Sequence, residues 1–350
     1  MAKKEIPVIG IDIGSHAVKI CQVERSGKDG SYQLLALGTA ALSPGSVEDG
    51  VLHDPQDVAD AIRELLNNLK INKKRVGLSI SGYSVIVKKI NIEIENQEAL
   101  AERLHQEAEQ YIPFDINEVY LDFQVIKQAK SETERSEVML VAAKKEVVNA
   151  YLNMIEGLKL LPVLVDVDGF ALENIWNTVA GSEKNVCVVD IGASKMNINI
   201  ITGGTSVLAR DVVTGSDKIS QDIAETLGID YDEAEKIKLG RQQASEEDAE
   251  TLHNIFNKIS TRWVLEIKKA IDLYGNNNPG KPLTALVLSG GGSKVHGLKE
   301  YLAHETGLEV IAFNPFEGMK INKKIDMEYL KAAAPQMSIA TGLAIRPAEF

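Results

Sequence analysis

The sequence predicts an α/β protein of two similar lobes around a shared cleft, and three stretches predict it. The first is Asn185-Val-Cys-Val-Val-Asp190-Ile-Gly-Ala-Ser-Lys195-Met-Asn-Ile-Asn-Ile200. It reads as a strand covered on both faces, an aspartate at its carboxyl end, a glycine turn and a second strand of alternating apolar residues. An aspartate placed this way can be aimed at a metal while turn N–H groups face a phosphate; an ordinary hairpin fits the same residues. The second stretch, Val8-Ile-Gly-Ile-Asp12-Ile-Gly-Ser15-His-Ala-Val-Lys19-Ile-Cys-Gln-Val, repeats the pattern about half a chain length earlier. The third, Leu286-Val-Leu-Ser-Gly290-Gly-Gly292-Ser-Lys-Val-His-Gly-Leu298, reads as a buried strand, three glycines and a helix. Three successive residues without Cβ leave bare backbone on which a flat base or ribose can lie.

Composition narrows the class. With 350 residues, 44% hydrophobic and 25% charged, the chain has enough apolar material for two sizeable cores. A net charge of −12 and no basic patch argue against nucleic acid as a partner. No run is long enough to cross a bilayer, and Asp12 interrupts the first apolar run, so no signal peptide is expected. Cys21 and Cys187 fall inside strand patterns and read as buried thiols; a disulfide is not expected, nor is a zinc site from six scattered histidines.

In chain order, a turn at Gly27–Gly30 separates the first hairpin from a strand over Tyr32–Ala40. Asp54-Pro55 opens a helix, with the aspartate as cap and the proline at the first position. Its stripe of Val58, Ile62, Leu65, Leu66 and Leu69 packs on a sheet, and Val76–Ser81 returns as a strand. The order then changes: a strand over Val85–Ile90, a helix from Asn96 through Gln110, and a hairpin of Val119–Ile126 with Glu137–Ala143 around a polar turn. This predicts a small α+β insertion at about 84–144. Its Tyr111–Phe123 segment is rich in large apolar groups and suits either core packing or a partner surface. Val147–Leu160 reads as a helix, Val163–Val167 as a strand and Gly169–Thr178 as a helix. Beyond the central hairpin come a strand over Ser206–Val213, a charged helix around Asp232–Lys238, and a polar stretch over Gln242–Glu250. A long helix follows over Ile255–Tyr274, with Ile259, Trp263, Ile267 and Ile271 on one face. A loop at Asn276–Gly280 and a helix over Lys294–Glu305 complete the pattern.

The two Asp-Ile-Gly hairpins and the late strand with its triple glycine resemble, in this order, the superfamily of actin, sugar kinases and heat-shock chaperone ATPases. The resemblance implies two lobes with ribonuclease H-like cores: 1–180, completed by 334–350, and 184–331 carrying the adenosine side. An insertion of this order is similar to that of the division protein FtsA. The string Tyr111-Ile-Pro-Phe-Asp-Ile-Asn-Glu-Val-Tyr-Leu-Asp-Phe and Pro162-Val-Leu-Val-Asp166-Val-Asp168-Gly-Phe-Ala-Leu-Glu-Asn are closer to the PilM family of type IV pilus assembly. FtsA usually ends in a basic amphipathic helix, which the tail Pro335–Phe350 lacks.

The resemblance implies ATP with Mg²⁺ as the bound cofactor. Asp12 and Asp190 would face the metal; Gly14, Ser15, Gly192, Ala193 and Gly215 would offer phosphate donors; Lys19 would be the neutralising cation. In the superfamily a turn near Asp166 and Asp168 orients the attacking water, although either could cap the following helix instead. A Glu-x-x-Lys pair lines the adenosine pocket, matched here by Glu233 and Lys236, which on charge pattern alone are a solvated helix face. Gly290, Gly291, Gly292 and Ser293 would carry the adenosine. No P-loop and no sugar-binding pattern occurs, so a scaffold with at most feeble ATPase activity is expected rather than a small-molecule kinase. A PilM-like chain would bind the N-terminal cytoplasmic peptide of PilN and so sit at the cytoplasmic face of the inner membrane, self-association being compatible with this. An FtsA-like chain would bind a tubulin-like division protein and polymerise.

Overall fold

The computed structural model describes residues 8–26, 31–92, 103, 107–127 and 135–346. The turn expected at Gly27–Gly30, most of the helix expected from Asn96 and most of the Lys127–Ser136 turn lie outside these residues.

Two sheets organise the rest. The first begins with β1 (Ile9–Ile13), β2 (Ala17–Ser26) and β3 (Ser31–Ala41). A short hairpin, β4 (Val47–Glu48) and β5 (Val51–Leu52), leads to helix α1 (Pro55–Asn68) and β6 (Arg75–Ile80). The Asp54 side chain accepts from the N–H groups of Gln56 and Asp57, as a cap ahead of Pro55 should. Later come α2 (Lys145–Gly157), β10 (Leu161–Val167) and α3 (Asp168–Ala180). The strand order is β10-β6-β1-β2-β3-β16, the last strand (Lys320–Ile321) arriving from far downstream.

The second sheet repeats the plan. Strands β11 (Val186–Ile191), β12 (Met196–Thr202), β13 (Thr205–Val212), β14 (Ala285–Ser289) and β15 (Val310–Ala312) pair in the order β13-β12-β11-β14-β15. Helices α4 (Asp217–Leu227), α5 (Tyr231–Lys238), α6 (Ala249–Asn277) and α7 (Leu298–Thr306) accompany it. Helix α6 buries Ile259, Trp263, Ile267 and Tyr274 along one stripe and runs on to Asn277, two residues into the loop expected at Asn276–Gly280. The helix expected from Lys294 begins only at Leu298, because a 3₁₀ turn over Gly291–Lys294 and a left-handed Gly297 intervene. Helix α4 had no counterpart in the sequence reading.

Each sheet has its own apolar core, and a third cluster lies between them. Into that third cluster run α8 (Met327–Ala333) and α9 (Ser338–Ile345), and every residue of α9 is buried. Two glycines permit this: a Cβ on Gly10 would stand 1.9 Å from the Ala340 carbonyl oxygen, and one on Gly342 would stand 1.9 Å from that of Ala171.

The insertion is a separate antiparallel sheet in the order β7-β9-β8, from β7 (Val85–Ile92), β8 (Val119–Lys127) and β9 (Ser136–Lys144). It buries Ile90, Ile92, Ile112, Val119, Val138 and Leu140 as a small core. In the Tyr111–Phe123 segment Ile112 and Val119 are core, as core packing expects, while Tyr120 is left exposed.

Candidate nucleotide site and peptide groove

Strand register builds the cleft. Asp12 sits directly opposite Lys19 across the β1–β2 ladder, and the two side chains pair at 3.1 Å. At the matching place in the second lobe, Asp190 sits opposite Asn197 on β12 and beside Ser289 on the parallel strand β14. The two glycine turns are alike: the Gly14 N–H donates to Ala17 O at 3.1 Å and the Gly192 N–H to Lys195 O at 2.8 Å. Those two N–H groups therefore close their turns rather than face a ligand. Those of Ser15, Ala193 and Ser194 have no hydrogen-bond partner among the described residues and lie in the wall of the cleft.

The cleft holds a cavity of about 230 Å³ lined from both lobes. Asp12, Gly14, Ser15, Lys19 and Asp168 come from the first; Asp190, Gly192, Ala193, Gly290 and Gly291 come from the second. Gly290 has φ +84°, and a Cβ there would stand 2.3 Å from the Ile191 carbonyl oxygen, so this approach of loop to strand requires glycine. Gly215 does not line the cavity but packs its Cα against the Ala193 carbonyl, which brings Ser216 and Asp217 to the wall. Gly292 packs on Ile191 and Ser216, and the Ser293 hydroxyl turns back to Gly290 O at 2.6 Å; neither reaches the cavity.

Two expectations need correction. Asp166 faces away from the cleft: it is buried beside the Arg346 guanidinium and accepts from the Val167 N–H at 2.9 Å. Only Asp168 enters the cavity, and neither aspartate caps α3, whose cap position is Val167. Glu233 and Lys236 also miss the cavity; Glu233 takes a hydrogen bond from Gln242 at 2.7 Å instead. The cavity is lined by Glu235 and Lys238, a second Glu-x-x-Lys pair joined at 2.5 Å. A shift of two residues turns a helix by roughly 200°, so choosing the wrong pair selects the opposite face.

Several cleft residues were not foreseen. His16 reaches across from the first lobe to Asp217 at 3.1 Å. Asp217 also accepts from the Tyr231 hydroxyl at 2.5 Å. Lys294 and Gln336 line the cavity beside Gly290 and Gly291. Lys195 crosses from the second lobe to Asp168 at 2.7 Å and also meets the Ser81 hydroxyl. The repeat does not single out Lys195: the residue matching Lys19 in the second hairpin is Asn197, and Lys195 lies in the turn before it.

The electrostatics are uneven. Burial pushes the Asp190 carboxyl up to about 7, and Asp190 has no ion-pair partner among the described residues. Burial also raises Asp12 above the ordinary carboxylate range, with Lys19 opposing it. Asp168 behaves differently: burial works to raise it, but Lys195 and the hydroxyls of Ser79 and Ser81 outweigh this and hold it low. Lys195 is correspondingly held charged by Asp168 and Asp211 against the cost of burial.

A second concavity, of about 720 Å³, opens between the insertion and the first lobe. Its walls are two sheet edges, β8 (Tyr120 to Gln124) and β10 (Val165 to Val167), with Phe170, Leu152 and Arg346 between them. Tyr120 is 46% exposed and Val165 37%.

Compared with known proteins, residues 10–348 match the family described as type IV pilus assembly protein PilM. The chain belongs to the PilM family. Its fold is that of the actin-like ATPases. This PilM-family chain superposes on a solved PilM-PilN type IV pilus biogenesis complex with a TM-score of 0.85 and 27% identity, covering 99% of this chain and 100% of that one. More distant likenesses concern the fold alone. The ethanolamine utilization protein EutJ from Carboxydothermus hydrogenoformans gives a TM-score of 0.58 at 15% identity, over 97% of this chain and 89% of that one. MreB5 of Spiroplasma citri bound to ADP gives 0.51 at 14% identity, over 96% and 94%. Among the described residues, no helix of this PilM-family chain is long and apolar enough to cross a membrane.

Proposed function

We propose that this protein is an ATP-binding scaffold of type IV pilus assembly that holds the N-terminal cytoplasmic peptide of a PilN-type membrane protein. The observation that carries the reading is the match over residues 10–348, together with likeness along the whole chain to a PilM seen in complex with PilN.

The cleft suits MgATP. The free N–H groups of Ser15, Ala193 and Ser194 are anion donors, and Lys19 supplies positive charge in the same cavity. No cluster of three or more His, Cys, Asp or Glu able to hold a metal occurs among the described residues. Mg²⁺ suits this, because it commonly binds through one or two carboxylates, several waters and the phosphates of a nucleotide. Asp190, buried without an ion pair, and Asp12 would be those carboxylates. Bound Mg²⁺ would neutralise phosphate charge. Gly290, Gly291, Glu235, Lys238 and Lys294 would receive the adenosine.

The groove suits an extended peptide. Two sheet edges offer backbone donors and acceptors, and Tyr120, Phe123, Val165 and Phe170 offer apolar anchors. Such contacts offset the ordering cost of a peptide that is disordered when free. Attachment to the cytoplasmic face of the inner membrane would then run through the partner alone.

The test is a titration of labelled peptides from the cytoplasmic termini of the pilus membrane proteins, alongside calorimetry with MgATP. Binding of the PilN-type peptide at micromolar concentration, weakened by Val165→Glu in the groove wall, is the expected result. Binding only to a tubulin-like division protein, or no response to millimolar MgATP, would overturn the corresponding half.

A further inference from the structure

Asp168 is the one acidic side chain of the β10–α3 turn that enters the cleft, and it does not stand free there. It occupies the first position of α3, with its side chain 6% exposed. One oxygen accepts from the Ser79 hydroxyl at 2.6 Å and the other from the Lys195 ammonium at 2.7 Å. The lysine is itself held by Asp211 at 4.0 Å, and Asp211 in turn is fixed by the Asn197 amide at 2.8 Å and the Gly82 N–H at 2.6 Å. The whole assembly is largely buried and spans the two lobes, since Ser79, Gly82 and Asp168 belong to one and Lys195, Asn197 and Asp211 to the other.

Hydrolysis of a nucleoside triphosphate needs a water oxygen to bond to the terminal phosphorus as the bond to the bridging oxygen breaks. The nucleoside diphosphate leaves with that electron pair, and the water gives its proton to a base or to the released phosphate. A positioned carboxylate serves as base only if it can accept a hydrogen bond from that water and gain from its proton. Asp168 is in the right cavity for that work, but it is ion-paired to a fixed ammonium, which lowers its affinity for the proton a base must take.

Resting on the reading of the cleft as a nucleotide site, we propose that Lys195 is a silencing residue. It pairs with Asp168 across the lobes and removes the base, so the cleft holds a nucleoside triphosphate without turning it over. The role is one of positioning, exercised through Asp168, and it fits a scaffold that must keep its nucleotide while a partner is bound.

The experiment uses the full chain with MgATP and measures steady-state ADP release beside calorimetric affinity for a non-hydrolysable analogue. Lys195→Met should raise kcat tenfold or more, within the ~10²–10⁴-fold that a positioned base contributes, with KM changed little. Lys195→Met combined with Asp168→Asn should lose that gain, and Lys195→Arg, which keeps a cation on Asp168, should stay silent. Should thermal melting show Lys195→Met to be unfolded, Lys195→Gln removes the charge while leaving an amide to bond Asp168, and the same rise is expected. An unchanged or lower kcat in a folded variant that binds the analogue overturns the inference, as does a rise that survives Asp168→Asn. A raised KM at constant kcat also overturns it, by making Lys195 a phosphate ligand. Wild-type protein that binds no analogue brings down the nucleotide reading and this inference together, whereas binding with a silent Lys195→Met brings down the inference alone.

Discussion

Arg346, at the end of α9, forms an ion pair with the buried carboxylate of Asp166 on β10, and both residues line the groove between the insertion and the first lobe. The Asp166 side chain is 3% exposed and the Arg346 side chain 39%. Removing the cation leaves a buried charge unpaired, which typically costs about 3–5 kcal/mol when both partners are fully buried. Because the guanidinium is partly in water, Arg346→Met should cost less, roughly 1–3 kcal/mol, in urea denaturation. Peptide affinity should fall with it, measured by anisotropy, since the wall it stabilises is the one the peptide would meet. Unchanged stability would show the pair to be ornamental.

Asp190 gives a pH signature. Its carboxyl is lifted by burial to about 7, above the 3.8 of an unperturbed aspartate. The folded state therefore holds a proton that the unfolded state has lost between these values. Stability contributed by this group falls as pH rises from about 4 through 7. Asp190→Asn should remove that slope, making the nucleotide-free variant more stable than wild type at pH 8 and leaving the two similar near pH 4. The urea midpoint at both pH values measures this. On the proposed role of Asp190 as one of several contacts to Mg²⁺, affinity for MgATP should move the other way, the variant losing roughly tenfold. A variant no more stable at pH 8 would contradict the assignment.

The helix Tyr231–Lys238 offers a face-selective test. Glu235→Ala and Lys238→Ala should each weaken nucleotide binding by about 1.5–3 kcal/mol, the scale of a hydrogen bond to a charged group. Glu233→Ala and Lys236→Ala, on the opposite face, should be neutral in the same calorimetry. Equal losses from both pairs would mean the helix matters only as a structural unit.

Gly342 tests the packing of α9. A methyl group there would press on the backbone of α3 at Ala171, and backbone cannot move aside as a side chain can. Gly342→Ala should destabilise by ~1–3 kcal/mol or more through overpacking. A denaturation midpoint equal to wild type would show that the two helices separate readily.

Much of the fold was legible because its signals are local. Strand alternation, the Asp54-Pro55 cap and the stripe on α6 each declare themselves within a few residues, and the repeated Asp-Ile-Gly hairpin announced two similar sheets. The likeness to PilM proteins was legible from the strings around Tyr111 and Asp166. The site was legible in part: Asp12, Lys19 and Asp190 come to one cavity through the register of the two hairpins, and Gly290 and Gly291 follow β14, which runs parallel beside β11. What stayed hidden depends on direction and distance. Two Glu-x-x-Lys pairs overlap on one short helix, and only packing selects the face that meets the cleft. Asp166 and Asp168 share a strand-like spacing, but α3 begins between them and turns their side chains to different cavities. The contacts His16–Asp217 and Lys195–Asp168 join segments distant in sequence, and no local pattern announces them.

Helix α9 has a consequence for how the chain is made. Its eight residues are buried against β1, β2, β6 and α3, elements encoded far earlier. Even after β10 is made, the first sheet must wait with one apolar face partly uncovered while about 170 further residues are synthesised before Ser338–Ile345 exists. Completion of the first lobe is therefore a late, long-range event that can follow the second lobe's own folding. A nascent chain halted before α9 would expose that face and become a substrate for chaperones, whatever the fate of its nucleotide cleft.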